Sequence, residues 1–231
     1  MRHLRGILRQ AISRVEKPLY KCGIFPVSSL TLPDFLGIGA MKSGTTWLYE
    51  NLRCHPDAFL PDRKELYYFS HAFYNGRLKR YSTQFETGDG KIKGEITPGY
   101  AIIPADRIRF IRQVMPDVKL IFVARNPIDR SWSEAYMNLF SKPGKTISDI
   151  TENELIDYVT TGECCRRSDY IQILESWNRL FPSTQLFLGT LDEITHNPID
   201  FLSRLFLFLG LSTDVDWSCF PASNVVRPRY E

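Results

Sequence analysis

The segment Gly39–Trp47 combines a glycine-bounded turn with a lysine, a serine and two threonines, which are residue types that bind phosphate. It reads Gly-Ala-Met-Lys-Ser-Gly-Thr-Thr-Trp, and the flanking residues predict a strand before it and a helix after it. A strand that turns directly into a helix points several backbone N–H groups and the positive end of the helix dipole at one place. The segment therefore predicts a phosphate site with these candidate ligands: Lys42, Ser43, Gly44, Thr45, Thr46 and Trp47.

Two departures distinguish this loop from that of a nucleoside-triphosphate enzyme. The glycine spacing fits a P-loop, but Thr45 stands where such a loop has its lysine, and the lysine is Lys42 instead. The apolar strand predicted at Leu120–Ala124 is followed by Arg125 and not by an acid that could hold magnesium. Both changes favour a phosphate ester bound without metal. The alternative is a plain strand-to-helix connection, in which Gly44 serves the turn and Thr45 caps the helix.

Strand-like and helix-like segments alternate from Pro33 onward, and this alternation predicts the fold. The predicted strands are Phe35–Gly39, Ala58–Leu60, Lys91–Ile96, Lys119–Ala124 and Gln185–Leu188. The predicted helices are Thr45–Cys54, Arg77–Thr87, Pro104–Met115, Pro127–Phe140, Glu152–Thr161, Asp169–Phe181 and Pro198–Leu209. Such a pattern is typical of an α/β fold, here a P-loop-like three-layer sandwich with a central parallel sheet flanked by helices. Ligands bind such sheets at the carboxyl ends of the strands.

The composition limits the classes of protein that remain. A chain of 231 residues with 43% hydrophobic and 13% aromatic residues can form a sizeable core, which excludes disorder, collagen and coiled coil. A net charge of +3 argues against a nucleic-acid partner. The five cysteines are scattered and include no CxxC pair, which predicts reduced thiols without a disulfide framework or zinc site. No apolar run is long enough to span a membrane, so the sequence predicts a cytoplasmic protein.

The first 32 residues read as a segment separate from the main domain at residues 33–231. Apolar residues recur at steps of three and four over residues 1–21, between basic residues, which predicts a basic amphipathic helix followed by a linker. The favoured interpretation is that this helix packs on the domain. The alternative is a peripheral contact with an anionic membrane surface.

Two motifs together resemble the sulfotransferase superfamily, whose members use 3′-phosphoadenosine 5′-phosphosulfate (PAPS). They are the loop Lys42–Trp47 and the later run Arg125-Asn-Pro-Ile-Asp-Arg-Ser-Trp-Ser133. In that family the first motif holds the 5′-phosphosulfate, and an arginine and a serine of the second hold the 3′-phosphate. The resemblance implies that Arg125 and Ser133 bind the 3′-phosphate, with Arg227 as a further phosphate contact. It also implies PAPS as the donor, its product 3′-phosphoadenosine 5′-phosphate (PAP), and no metal.

Further motifs are similar to those of the glycan-type members, such as the heparan sulfate N- and 3-O-sulfotransferases. The segments that carry this similarity are His55-Pro-Asp57, Lys64-Glu-Leu-Tyr-Tyr-Phe69, Gly94-Glu-Ile-Thr-Pro-Gly-Tyr100 and Ser168-Asp-Tyr170. The resemblance implies a carbohydrate or glycolipid acceptor, sulfated at a hydroxyl or an amine. It implies Glu65 as the base and Lys42 as the group that stabilises the leaving phosphate. The heparan 3-O-enzymes have a lysine where this chain has Ile96.

Several alternatives stay open from the sequence. Glu65 could simply pair with Lys64 or Arg63, His71 is a rival base, and Glu95 could be structural or could orient Lys42. The protein could also be a degenerate P-loop nucleotide kinase, or a non-catalytic binding module with the sulfotransferase fold. The sequence assigns neither the acceptor nor an oligomeric state.

Overall fold

The computed structural model describes residues 27–73, 77–140 and 149–221 of the chain. In this part, one sheet of five parallel strands forms the centre, with the strand order β2-β3-β1-β4-β5. The strands are β1 (Phe35–Gly39), β2 (Ala58–Phe59), β3 (Ile92–Ile96), β4 (Lys119–Ala124) and β5 (Leu186–Thr190). The predicted α/β fold with a central parallel sheet is confirmed.

The helices connect and cover these strands. They are α1 (Thr45–Cys54), α2 (Leu78–Ser82), α3 (Ala105–Val114), α4 (Pro127–Ala135), α5 (Glu152–Thr160), α6 (Gly162–Ser168), α7 (Tyr170–Asn178), α8 (Leu191–His196) and α9 (Pro198–Leu209). A π-helical turn at Tyr136–Phe140 continues α4. Short 3₁₀ turns lie at Val27–Ser29, Pro98–Ile102, Ser183–Gln185 and Trp217–Cys219.

The main differences from the sequence prediction concern short helices. The helix predicted at Arg77–Thr87 is a single short helix, α2, which ends at Ser82. Helix α8 was not predicted, because it follows β5 without a loop. Its first turn is fixed by a capping box between Thr190 and Glu193, whose backbone and side-chain groups satisfy each other. Helix α6 was also not predicted, since it is separated from α5 only by Thr161.

The two faces of the sheet are buried in two separate hydrophobic cores, which gives the three layers. On β4, Leu120 and Phe122 point into the core that contains α3 and α7. Their neighbours Ile121 and Val123 point into the core that contains α1 and α9. A strand buried on both faces reads as a continuous apolar run, which is why this strand was predicted without ambiguity.

Strand β1 lies at the point where the strand order reverses. It pairs with β3 on one side, where Gly37 is opposite Ile96, and with β4 on the other, where Gly37 is opposite Ile121. Because all the strands are parallel, the carboxyl ends of β3, β1 and β4 lie side by side on one edge of the sheet. The loops that follow these three strands therefore meet, which is the usual position for a ligand site in such folds.

Three predictions about the chain termini concern residues outside the described ranges. These are the amphipathic helix at residues 1–21, most of the predicted segment 1–32, and Arg227. The boundary between residues 32 and 33 stays a prediction. Across residues 27–73, 77–140 and 149–221, each helix is too short or too polar to cross a bilayer.

The close packing of β1 on β3 predicts that Gly94 tolerates no side chain. A Cβ atom at Gly94 would lie 2.0 Å from Cζ of Phe35, whose ring is fully buried. We expect Gly94→Ala to lower the free energy of unfolding by about 1–3 kcal/mol, the usual cost of overpacking a core. Gly99→Ala is the matched control, since a Cβ there meets no atom within 4 Å. Urea unfolding of both variants measures the difference, and equal midpoints would contradict the prediction.

Candidate functional site

The loop after β1 has the geometry of a phosphate-binding turn. Gly44 is the N-cap residue of α1, in the left-handed region at φ +82°, and it offers no side chain to cap the helix. Thr45 lies within the helix, so it is not the cap residue that the alternative interpretation assigned. The first N–H groups of an α-helix lack partners within the helix, and this cap leaves them to bind an external acceptor.

Two residues of this loop, Lys42 and Ser43, have features that are common at binding sites. Lys42 is itself left-handed, at φ +67°, a conformation that is uncommon for a residue with a side chain and concentrates at functional sites. The hydroxyl of Ser43 is buried and makes no hydrogen bond of normal geometry to the described residues, although it lies near the hydroxyl of Tyr170. A buried hydroxyl without a well-formed hydrogen bond is costly, so this atom fits a ligand that supplies an acceptor.

The loop's last candidates differ in exposure. The side chain of Thr46 is exposed, and that of Thr45 is buried. The ring of Trp47 is only 6% exposed and packs edge-on against Phe201, at 5.9 Å between ring centroids. The Trp47 side chain is therefore part of the core, and this residue could reach a ligand only through its backbone.

Arg125 joins the end of β4 to the loop after β1. Its Nη1 atom donates a hydrogen bond to the carbonyl oxygen of Lys42, at 3.1 Å. The Arg125 carbonyl in turn accepts a hydrogen bond from the hydroxyl of Tyr170, at 2.8 Å, and the Tyr170 ring packs edge-on against Phe122. Burial raises the pKa of Tyr170, so its hydroxyl remains a donor. The structure thus brings together the two predicted halves of the site.

Helix α4 carries the second predicted motif and begins with a well-formed cap. The Asn126 side chain accepts hydrogen bonds from the backbone N–H groups of Ile128, at 2.9 Å, and Asp129, at 3.4 Å. Pro127 occupies the first helical position, where its missing N–H costs nothing. Ser133 lies half-buried in the last part of this helix.

A buried charge network fixes α4 against α6, and the sequence reasoning did not identify it. Arg130 and Glu134 are both fully buried and form an ion pair one helical turn apart. Arg130 also donates from Nε to the hydroxyl of Ser168, at 2.7 Å, and Arg167 forms a second ion pair with Glu134. Because removing one partner would leave a buried charge uncompensated, the network holds the two helices in one arrangement.

The segment that contains Glu65 is strained and tightly bonded. One carboxylate oxygen of Glu65 accepts from Nζ of Lys64, at 2.7 Å, and the other accepts from the hydroxyl of Tyr67. Glu65 and Tyr67 are both left-handed, at φ +65° and +56°. Burial and the hydrogen bond to Glu65 raise the pKa of Tyr67 to about 12, so this hydroxyl stays protonated. The open alternative that Glu65 pairs with Lys64 is seen in the structure, together with a second partner that was not predicted.

Glu95 anchors the Glu65 segment to the end of β3. This carboxylate is buried and accepts hydrogen bonds from the hydroxyls of Tyr81, at 2.5 Å, Tyr100, at 2.9 Å, and Thr97, at 2.8 Å. It accepts a further one from the backbone N–H of Leu66, the residue next to Glu65. Burial raises the pKa of Glu95, although these donors favour its charged form. Of the two roles left open for Glu95, this environment supports the structural one.

The candidate histidines lie in different environments. His71 is exposed, and its ring packs edge-on against Tyr67 at 5.4 Å between centroids. His55 is buried at the end of α1, where Nδ1 accepts a hydrogen bond from the Asp57 backbone and Nε2 lies 2.9 Å from the Ser212 carbonyl. His55 therefore joins the α1 end to the chain beyond α9.

The π-helical turn after α4 reaches the loop after β1. The Nζ atom of Lys42 lies 3.7 Å from the sulfur of Met137, which is in this turn. A thioether is a weak hydrogen-bond acceptor, so an anionic ligand would be a stronger partner for the ammonium group than this sulfur is. The turn therefore forms a wall beside the Lys42 side chain.

Known proteins similar to this chain include sulfotransferases that act on a glycan. Human heparan sulfate glucosamine 3-O-sulfotransferase 6 is 32% identical over 181 residues, which is 78% of this chain and 52% of the relative. The membrane-associated sulfotransferase kil1 of Dictyostelium discoideum is 36% identical over 114 residues, covering 48% of this chain and 24% of that protein. The chain thus spans about half the length, or less, of these curated relatives.

These relatives overturn the predicted location. The sequence analysis predicted a cytoplasmic protein from its lack of a long apolar run. That prediction is wrong, because the similar proteins include one that is named membrane-associated and others that are named for heparan sulfate.

Solved structures share the fold. A sulfotransferase from Alicyclobacillus acidocaldarius matches with a TM-score of 0.65 and 24% identity, over 80% of this chain and 83% of its own. Mouse sulfotransferase SULT7A1, complexed with PAP, matches with a TM-score of 0.55 and 18% identity, over 86% of this chain and 66% of its own. The family model described as "Sulfotransferase domain" matches residues 32–218, which include every strand and helix described above. The resemblance found in the two motifs is therefore confirmed, and the chain belongs to the sulfotransferase family.

Proposed function

We propose that this protein transfers a sulfuryl group from PAPS to a hydroxyl or amine of a glycan or glycolipid. The observation that carries the proposal is the contact between the two phosphate motifs, in which Arg125 donates to the Lys42 carbonyl. This contact holds the guanidinium group of Arg125 beside the N-terminus of α1, at one edge of the sheet. Two anionic groups on one ligand, such as the 5′-phosphosulfate and 3′-phosphate of PAPS, fit such a pair of sites.

The loop after β1 suits the phosphosulfate. Its donors are the first N–H groups of α1, the Lys42 ammonium and the buried Ser43 hydroxyl, which makes no hydrogen bond of normal geometry to the described residues. Thr45, Thr46 and Trp47 supply backbone N–H groups at the same helix end. All of these are donors, as an anion requires.

The 3′-phosphate is assigned to Arg125 and Ser133. Arg125 is half-buried, and its hydrogen bond to Lys42 uses one of the five N–H donors of the guanidinium group. The remaining donors can hold a phosphate. Ser133 would add a hydroxyl from α4, and Arg227 is proposed as a third contact on the sequence resemblance alone.

Transfer needs a base for the acceptor and a cation for the leaving group. We assign the proton of the acceptor hydroxyl to Glu65, while the acceptor oxygen forms a bond to sulfur and the bond from sulfur to the bridging phosphate oxygen breaks. Lys42 stabilises the charge that develops on that oxygen. Glu65 keeps a lone pair on each oxygen beyond those used by Lys64 and Tyr67, so an acceptor hydroxyl can still bind it.

The proposal predicts that PAP stabilises the folded protein without added metal, and that ATP with magnesium does so far less. The reasons are the shifted lysine at position 42 and the arginine that replaces a magnesium-binding acid after β4. A ligand present at about 100 times its Kd should stabilise the fold by about 2.7 kcal/mol. Thermal shift assays with equal concentrations of the two nucleotides measure this. An equal shift with ATP and magnesium would favour the kinase alternative.

Replacing Arg125 should weaken nucleotide binding more than it slows transfer. A hydrogen bond to a charged group contributes about 1.5–3 kcal/mol, so we expect Arg125→Ala to raise the Kd for PAP at least about tenfold. Arg125→Lys should recover part of the lost affinity, because it keeps the positive charge but not the planar set of N–H donors of a guanidinium group. Arg179→Ala is the control, since this arginine is 73% exposed and forms only a long ion pair with Glu175. A fall in kcat with unchanged PAP affinity would assign Arg125 another role.

Replacing Glu65 should slow transfer more than it weakens nucleotide binding. Glu65→Gln keeps the size of the side chain but removes the proton acceptor, so kcat should fall by about a hundredfold or more, with PAP affinity nearly unchanged. Tyr67→Phe should lower kcat less and also spare PAP binding, because it removes only the donor that orients Glu65. His71→Ala should retain most activity. The hypothesis fails if His71→Ala is inactive and Glu65→Gln is not.

A further inference from the structure

A cavity of about 560 Å³ lies between the π-helical turn after α4 and helices α5 and α6. None of the residues assigned above to the donor nucleotide lines it. Its walls are formed by polar residues from all three elements, among them Asn138, Tyr158 and Arg167. The amide of Asn138 donates to the Tyr158 hydroxyl at 2.6 Å, which ties the turn to α5. The cavity is large enough for one or two sugar rings or a group of similar size.

The π-helical turn that forms one wall of this cavity also contacts Lys42. Met137, whose sulfur lies 3.7 Å from Nζ of Lys42, is followed directly by the lining residues Asn138 and Leu139. The charge of the lining residue Arg167 also acts on Tyr67, as a minor influence on a pKa that burial and the hydrogen bond to Glu65 raise. Tyr67 in turn donates to Glu65, the assigned base. A group held in this cavity would therefore lie beside the turn that contacts Lys42, and Arg167 in its wall acts electrostatically on Tyr67, the partner of Glu65.

The lining of the cavity carries more acidic than basic side chains. Four carboxylates contribute to it, from Glu134, Glu154, Asp157 and Glu163, against the single arginine Arg167. Glu134 is neutralised by its two ion pairs, and Glu163 shares the Arg167 guanidinium. Asp157 is exposed, and it forms no ion pair within the ranges that the structure covers.

We infer that this cavity binds the acceptor, and that the acceptor is a glycan that is neutral or carries amino groups next to the sulfated position, not a polyanion. Carboxylates accept hydrogen bonds from hydroxyl and ammonium groups, whereas they repel sulfate and carboxylate groups of a ligand. The inference rests on the proposed function, since it takes Lys42 and Glu65 as the reacting side chains.

The test uses three oligosaccharides that share one backbone and differ only in charge at nitrogen. They are β-1,4-linked glucosamine hexamers with free amines, with N-acetyl groups or with N-sulfo groups. Binding of each to the full chain is measured by calorimetry in the presence of PAP, and transfer is measured with PAPS. We expect the N-sulfo hexamer to bind at least about tenfold more weakly than the better of the other two, which corresponds to about 1.4 kcal/mol.

A charge reversal on the cavity wall provides the matched variant. Asp157→Lys should narrow or reverse this preference and change the KM for the hexamer, with PAP affinity unchanged. Asp89→Lys, at an exposed loop position outside the cavity, should leave the preference as it is. Tightest binding of the N-sulfo hexamer, or equal effects of the two variants, would overturn the inference. So would binding of none of the three while PAP still binds, an outcome that leaves the PAPS proposal intact. Failure of PAP itself to bind would instead refute the proposed function.

Discussion

The parallel pairing of β1 with β4 is the constraint on which the rest of the site depends. These strands are adjacent in the sheet although far apart in the chain, and their carboxyl ends reach the same edge. The backbone N–H of Ala40 donates to the Val123 carbonyl at 2.9 Å, which extends the pairing up to the start of the loop. From that point the Arg125 side chain continues the connection by donating to the Lys42 carbonyl. A shift in this register would move the arginine away from the loop and separate the two proposed anion sites.

The base side of the proposed site depends on a different anchor, the buried carboxylate of Glu95. A carboxylate in a core is costly unless its oxygens are fully hydrogen-bonded, and here three hydroxyls and a backbone N–H satisfy it. One of those donors is the backbone N–H of Leu66. The Glu95 carboxylate that stabilises the end of β3 therefore also holds the backbone between Glu65 and Tyr67. This explains how two left-handed residues persist in one short segment, because the surrounding bonds outweigh their strain.

Charge is distributed unequally around the edge of the sheet. The donor side, at the loop after β1 and the end of β4, presents N–H groups, a lysine and an arginine. The opposite side, between α5 and α6, presents mostly carboxylates around Arg167. The buried pair of Arg130 and Glu134 stabilises α4, and the π-helical turn that continues this helix contacts Lys42 through Met137. Such an arrangement suits the transfer of a charged group from an anionic donor to an acceptor of different charge.

The sequence by itself determined the sheet, most of the long helices and the donor motif, because these are local patterns. The continuous apolar run of β4 and the glycine-lysine turn before α1 each identify an element without reference to the rest of the chain. The same pattern reasoning failed for α6 and α8, which follow their neighbours without a turn signal, and for the cellular location, where the lack of an apolar run was a poor guide. Only the tertiary structure decided which distant side chains meet. The bonds from Arg125 to Lys42 and from Leu66 to Glu95, the Arg130 network and the acidic cavity join residues from separate elements, and their formation depends on strand order and helix packing that no local pattern encodes.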